Sequence, residues 1–215
     1  MSQKNLMIAQ SGGPTTAINA SLAGIVEAGK HSGQFDHVYG ALNGVEGLLD
    51  RRIIDLGEQL PDDHSLDLLS NTPAMALGSC RYRMPVPGSA EAKAIYAQIE
   101  QIFEEYHISC FFYIGGNDSM DTAHKLSLYF SERGKDIRVI GVPKTIDNDL
   151  PVTDHTPGFG SAARFIATSI QEIIRDSEVY NVQSVTIVEI MGRNAGWLTA
   201  SSCLPRYLGE QAPHL

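Results

Sequence analysis

The most constraining feature of the 215-residue sequence is a repeated step: a short apolar run, then a glycine or other turn former, then a longer amphipathic stretch. The runs at residues 6–9, 38–42, 110–114 and 138–142 are followed by Gly12-Gly13, Asn43-Gly44, Gly115-Gly116 and Pro143. Runs of this length suit buried strands better than helices. Strands separated by helices are joined by crossovers, which lay them parallel. The sequence therefore predicts an α/β fold around a mostly parallel sheet.

Helices are expected at about residues 17–30, with a threonine near the start as N-cap, and at 90–106, 120–133 and 161–177. A further strand is expected at 185–190, and residues 143–159 read as a polar loop. Residues 51–87 mix polarities and carry several prolines, so only a short helix at 64–71 is expected there. The division expected is a first domain over residues 1–150 and a continuation into a second over 151–215. Gln211 to Leu215 bring neither a helix cap nor a polar tail, so the fold is expected to continue past this chain.

With 43% hydrophobic and 19% charged residues the chain can bury a substantial core. No apolar run reaches bilayer length, and the start MSQKNLMIAQSGG is too polar for a secretory signal. The expected compartment is the cytoplasm, with no membrane partner. A formal net charge of −9 argues against a nucleic-acid partner. An anionic substrate would then be held by local devices: glycine turns, helix N-termini and a few placed cations. Cys80, Cys110 and Cys203 are odd in number and form no CxxC pair, so they read as small buried apolar residues rather than as a disulfide or zinc set.

Five clusters carry chemistry. Gly12-Gly13 and Gly115-Gly116 each stand between an expected strand and an expected helix. In a parallel sheet both turns emerge at the carboxyl edge, where backbone N–H groups and the helix dipole suit oxyanions. Pro143 to Leu150 sets Lys144 beside Asp147 and Asp149, and an extended loop would point both carboxylates to one side. Such a carboxylate can take a proton from an attacking hydroxyl, while the lysine neutralises a transferring phosphoryl group. Met191-Gly192-Arg193 again follows an expected strand, and Gly78-Ser79-Cys80-Arg81 adds a second arginine suited to bidentate phosphate capture, with Arg83 close behind.

Together, Ser11-Gly12-Gly13, Gly78-Ser79-Cys80-Arg81, Gly115-Gly116-Asn117-Asp118-Ser119, Pro143-Lys144-Thr145-Ile146-Asp147-Asn148-Asp149 and Met191-Gly192-Arg193 resemble the phosphofructokinase family in order and spacing, over nearly the whole chain. The resemblance implies a Rossmann-like doubly wound sheet, with a donor-binding first domain and an incomplete sugar-phosphate-binding second one. It implies a homo-oligomer, dimer or tetramer, and phosphoryl transfer to the 1-hydroxyl of fructose 6-phosphate. Asp147 would be the base, with Lys144 and Arg81 as catalytic cations. Gly13, Asp118, Ser119 and Lys144 would bind the donor, and Thr145, Ile146, Asp147, Asp149, Met191, Gly192 and Arg193 the sugar phosphate. The implied cofactor is Mg²⁺, near Asn117.

ATP-using members of the family carry glycine where this chain has Asp118 and Lys144. A carboxylate at 118 opposes the α-phosphate of a nucleotide, while Lys144 can reach a compact donor, so the resemblance points to the type that uses inorganic pyrophosphate. Asn117 departs from the family's more frequent aspartate, which weakens metal binding, and Ser184 departs from an arginine found in some relatives. Other readings are an ATP-dependent enzyme and a catalytically silent sugar-phosphate-binding subunit; intact Asp147, Asp149, Lys144 and Arg193 argue against the second. His155 is read as structural, since one carboxylate base suffices.

Overall fold

The structure, a computed structural model, describes residues 3–15, 17–209 and 211–213. The chain divides into two compact units, Met1–Lys144 and Thr145–Leu215. In the first unit, β1 (Asn5–Gln10), β2 (Val38–Ala41), β3 (Ile53–Asp55), β4 (Ile108–Gly115) and β5 (Arg138–Pro143) form a sheet of order β3-β2-β1-β4-β5. All neighbours run parallel except β2 and β3. The helices of this unit are α1 (Ala17–His31), α2 (Gly44–Leu49), α3 (Leu56–Gln59), α4 (Asp63–Asn71), α5 (Ala90–Glu105) and α6 (Asn117–Glu132).

β1 is buried on both faces, and its alternation sorts side chains into two cores. Leu6 and Ile8 pack with Leu22 and Val26 of α1 and with Leu66 and Leu69 of α4. Met7 and Ala9 join Ile99 and Phe103 of α5 and Leu126 and Phe130 of α6. Each large apolar side chain buried this way contributes about 1.5–3 kcal/mol before the cost of ordering it. Helices on both faces make the sheet doubly wound, and the strand order reverses between β1 and β4. The connections leaving these two strands diverge there, opening a crevice at their carboxyl ends.

Local chemistry sets several helix starts. Asp55 accepts hydrogen bonds from the Gly57 and Glu58 N–H groups and so begins α3, Asp62 and Ser65 form a reciprocal capping box on α4, and Ser89 accepts from Ala92 N–H to begin α5. The threonine cap expected for α1 involves Thr16, which lies outside the described residues. In the first unit three elements were not expected from the sequence: α2, β3 and α3. β3 is a three-residue antiparallel edge strand, only half-buried, and so carries little periodic signal. α6 begins at Asn117 rather than Met120, which places Asn117, Asp118 and Ser119 in its first turn.

α5 and α6 are also joined by a polar knot. The buried carboxylate of Glu100 accepts from Tyr129 Oη at 2.7 Å and pairs with Arg133 Nε and Lys135 Nζ, each at 2.9 Å. Burial raises the Glu100 carboxyl, but the bonds from Tyr129, Lys135 and Arg133 outweigh it and hold the group below the usual range. Burial and the bond to Glu100 push the Tyr129 phenol up to about 12. A carboxyl depressed on folding adds stability that is complete above its unfolded pKa and is lost as pH falls through the folded one. Glu100→Gln is therefore expected to cost about 1.5–3 kcal/mol at neutral pH. The gap to the wild type should close in acid, as read by urea unfolding across pH.

The second unit contains α7 (Phe159–Glu178), α8 (Trp197–Ser201) and a 3₁₀ turn, Leu204–Leu208. The strand expected at 185–190 is not formed: Val185 and Ile187 are 91% and 89% exposed. A strand exists only when paired, and among the described residues this unit holds no other strand to receive it.

Candidate active site

In the first unit, two glycine turns leave the carboxyl ends of the adjacent strands β1 and β4. Gly12 has φ 83°, a conformation glycine adopts without penalty, and a Cβ on Gly12 would stand 3.4 Å from the Gly116 nitrogen. The first turn is clamped from outside by residues 79–80. Ser79 Oγ donates to the Gly12 carbonyl at 2.6 Å, and Gly12 N–H donates to the Cys80 carbonyl at 3.4 Å. That clamp brings the exposed Arg81 to the same edge. Inside the turns, Ser11 Oγ and Ser119 Oγ share a hydrogen bond of 2.5 Å, both residues being buried.

Lys144 follows β5, and its N–H donates to the Gly115 carbonyl at 2.8 Å. Its ammonium is buried, donates to the Gly13 carbonyl, and would lie 3.9 Å from a Cβ on either Gly12 or Gly13. A cation is thus held against the turn whose N–H groups suit an oxyanion. Asp118 is exposed in the first turn of α6, where the helix dipole favours a carboxylate, and Arg83 Nη2 lies 3.6 Å from it. Sequence reasoning gave Arg83 little weight, because surface arginines are common. Thr15 Oγ1, two residues past Gly13, is buried without a hydrogen-bond partner among the described residues.

Thr145 to Asp149 belong to the second unit. The loop is not extended there: Asn148 has φ 57°, so the alternation that would point Asp147 and Asp149 to one side does not apply. Asp147 is half-buried, its N–H donating to Thr145 Oγ1 at 3.0 Å, while Asp149 is exposed. Asn148 ties the loop down, accepting from Thr156 N–H at 2.9 Å and donating to the Asp154 carbonyl at 3.2 Å. Asp149, Leu150, Asp154, His155, Phe159 and Trp197 line one cleft, in which the His155 ring stacks on Phe159. Met191 and Arg193 are exposed and do not line it. Gly192 turns at φ 147°, where a Cβ would meet the Ala195 carbonyl at 2.4 Å.

No three or more His, Cys, Asp or Glu side chains converge as a metal cage among the described residues. Near the turns, Asn117 and Asp118 open α6, and both carry oxygen donors of the kind a magnesium ion takes. A second concavity, between α1 and α4, is lined by Glu27, Asp63 and Asp67, which would repel a phosphorylated ligand.

A model of the phosphofructokinase family matches residues 5–207. The chain belongs to the phosphofructokinase family. It is 41% identical over 218 residues to the pyrophosphate--fructose 6-phosphate 1-phosphotransferase of Halomonas elongata, covering all of this chain and 51% of that protein. It is 34% identical to the ATP-dependent 6-phosphofructokinase of Glaesserella parasuis, over 94% of this chain and 57% of that one. The crystal structure of pyrophosphate-dependent phosphofructokinase from Nitrosospira multiformis superposes with a TM-score of 0.86 at 40% identity, over 97% of this chain and 51% of that one. The chain thus spans about half the length of these pyrophosphate-dependent relatives, and among its described residues no helix is long and apolar enough to cross a membrane.

Proposed function

We propose that this chain is the donor-binding part of a pyrophosphate-dependent phosphofructokinase, which phosphorylates the 1-hydroxyl of fructose 6-phosphate. The observation that carries the reading is the Lys144 ammonium seated on the Gly13 carbonyl between two glycine turns. It leaves a compact, cationic site suited to a small polyanion. The relatives named for pyrophosphate, matched over the whole chain, support the same reading.

In the reaction the Asp147 carboxylate takes the proton of the sugar hydroxyl as its oxygen attacks the terminal phosphorus. The bridging P–O bond breaks, and inorganic phosphate leaves with the electron pair. Lys144 and Arg81 neutralise charge on the transferring and leaving groups, and the N–H groups of Gly13 and of the start of α6 orient the donor. Asn117 would help hold a magnesium ion, which when bound would supply further charge neutralisation. Thr145, Ile146, Asp149 and Met191-Gly192-Arg193 contribute to the sugar-phosphate side, with Asp118 on the donor side and the buried Ser119 supporting the first turn of α6 beside it. Residues 151–215, inside the unit Thr145–Leu215, are read as the continuation into the sugar-phosphate-binding domain. The working protein is a cytoplasmic homo-oligomer.

The test is fructose 6-phosphate phosphorylation by the full-length protein with Mg²⁺, comparing pyrophosphate with ATP. Turnover with pyrophosphate alone is expected; turnover with ATP alone would sink the donor assignment. Asp118→Gly removes the carboxylate that opposes a nucleotide's α-phosphate. Since Asp118 is exposed and screened, kcat/KM for ATP is expected to rise only about tenfold, roughly 1.4 kcal/mol. An unchanged ATP rate would assign discrimination elsewhere.

A further inference from the structure

Ser11 and Ser119 stand 108 residues apart in sequence, one directly before the Gly12-Gly13 turn and the other in the first turn of α6, yet their hydroxyls meet at 2.5 Å. Both residues are at most 5% exposed, so neither hydroxyl is presented to solvent or to a phosphate in the crevice. The backbone around the pair leaves no slack. Ser11 N–H donates to the Ile114 carbonyl at 2.9 Å, and Ser119 N–H to the Gly116 carbonyl at 3.0 Å. A Cβ on Gly115 would lie 2.2 Å from Ser119 Oγ and 2.8 Å from the Ser11 carbonyl. The two turns are therefore closed on each other through a hydroxyl bridge, with Gly115 leaving the room it needs.

An oxyanion held by both turns needs their N–H groups at fixed relative heights, and displacements well under 1 Å reduce such bonds sharply. We propose that Ser11 is a positioning residue for the phosphoryl donor, acting through Ser119 to lock the β1 turn to the first turn of α6. This rests on the reading that the glycine turns receive the donor. Because the bridge lies on the donor side, its loss shifts the KM for pyrophosphate and leaves the KM for fructose 6-phosphate in place. Because it is one bond, removing either hydroxyl does what removing both does.

The experiment is a double-mutant cycle in the full-length protein with Ser11→Ala, Ser119→Ala and the pair, recording both KM values, kcat and Tm. The expected result is a rise of about three- to tenfold in the pyrophosphate KM, similar in all three variants. Should Ser11→Ala fail to fold, Ser119→Ala reads the same bond. A donor KM unchanged in folded variants overturns the inference, as does a parallel loss for both substrates that tracks Tm. Wild-type protein that uses ATP instead refutes the pyrophosphate reading alone; the cycle is then read in the KM for ATP, where the same rise supports the bridge and its absence overturns it. Wild-type protein that takes neither donor overturns both readings.

Discussion

Asp147→Asn is expected to lower kcat by about 10²–10⁴-fold while leaving the KM for pyrophosphate within a few-fold of wild type. The substitution keeps the side chain's shape and removes its ability to hold a proton. Half-burial of Asp147 and the Thr145 Oγ1 bond to its N–H fix the backbone at the bend, so the amide should occupy the carboxylate's place. The same carboxylate takes the proton in one direction and returns it in the other, so forward and reverse rates should fall by the same factor. The check is steady-state kinetics in both directions, with pyrophosphate binding measured separately by calorimetry. A loss confined to KM, with kcat retained, would remove Asp147 from the chemical step and recast it as a binding group. Asp149→Asn serves as the control: Asp149 is exposed and lies beyond the left-handed Asn148, so its loss should act on sugar-phosphate affinity before rate.

What the sequence made legible is what repeats or what is local. β1, β4 and β5 were visible as short apolar runs, and their glycine turns marked the crevice at the strand-order reversal. α4 and α5 form close to where helices were expected, at 64–71 and 90–106. β3 was hidden because three half-buried residues on an edge carry almost no pattern, and its antiparallel pairing with β2 depends on a partner rather than on Ile53-Ile54-Asp55 themselves. The expectation at 185–190 failed for the converse reason: Val185 and Ile187 have strand chemistry but no strand partner within their unit among the described residues. In the site, the motifs gave residue types but not distances. Nothing in the Ser11-Gly12-Gly13 run announces a hydroxyl 108 residues away at 2.5 Å, nor does Gly78-Ser79-Cys80-Arg81 announce that Ser79 closes on the Gly12 carbonyl. The premise of an extended loop at 147–149 failed on one backbone angle, that of Asn148, which composition does not encode.

Lys144→Met should separate the donor side of the site from everything else. Methionine keeps the length and apolar stem of lysine in a buried position and deletes the charge, so packing beside Gly12 and Gly13 is largely conserved. Pyrophosphate carries its negative charge on few atoms, and a fixed, buried cation beside it stabilises the departing phosphate more than an exposed one would. kcat/KM for pyrophosphate is expected to fall about 10²–10³-fold, with the KM for fructose 6-phosphate near wild type. A burial-driven alternative predicts otherwise: if Lys144 served only to satisfy the Gly13 carbonyl, the variant would lose stability, and both substrates would suffer together. Measuring Tm beside the two KM values distinguishes these outcomes. On the proposed reading, the buried ammonium would let a chain of net charge −9 hold a polyanion. Because this ammonium is held on the Gly13 carbonyl and shielded from solvent, its share of the affinity for pyrophosphate should depend less on ionic strength than that of an exposed basic patch.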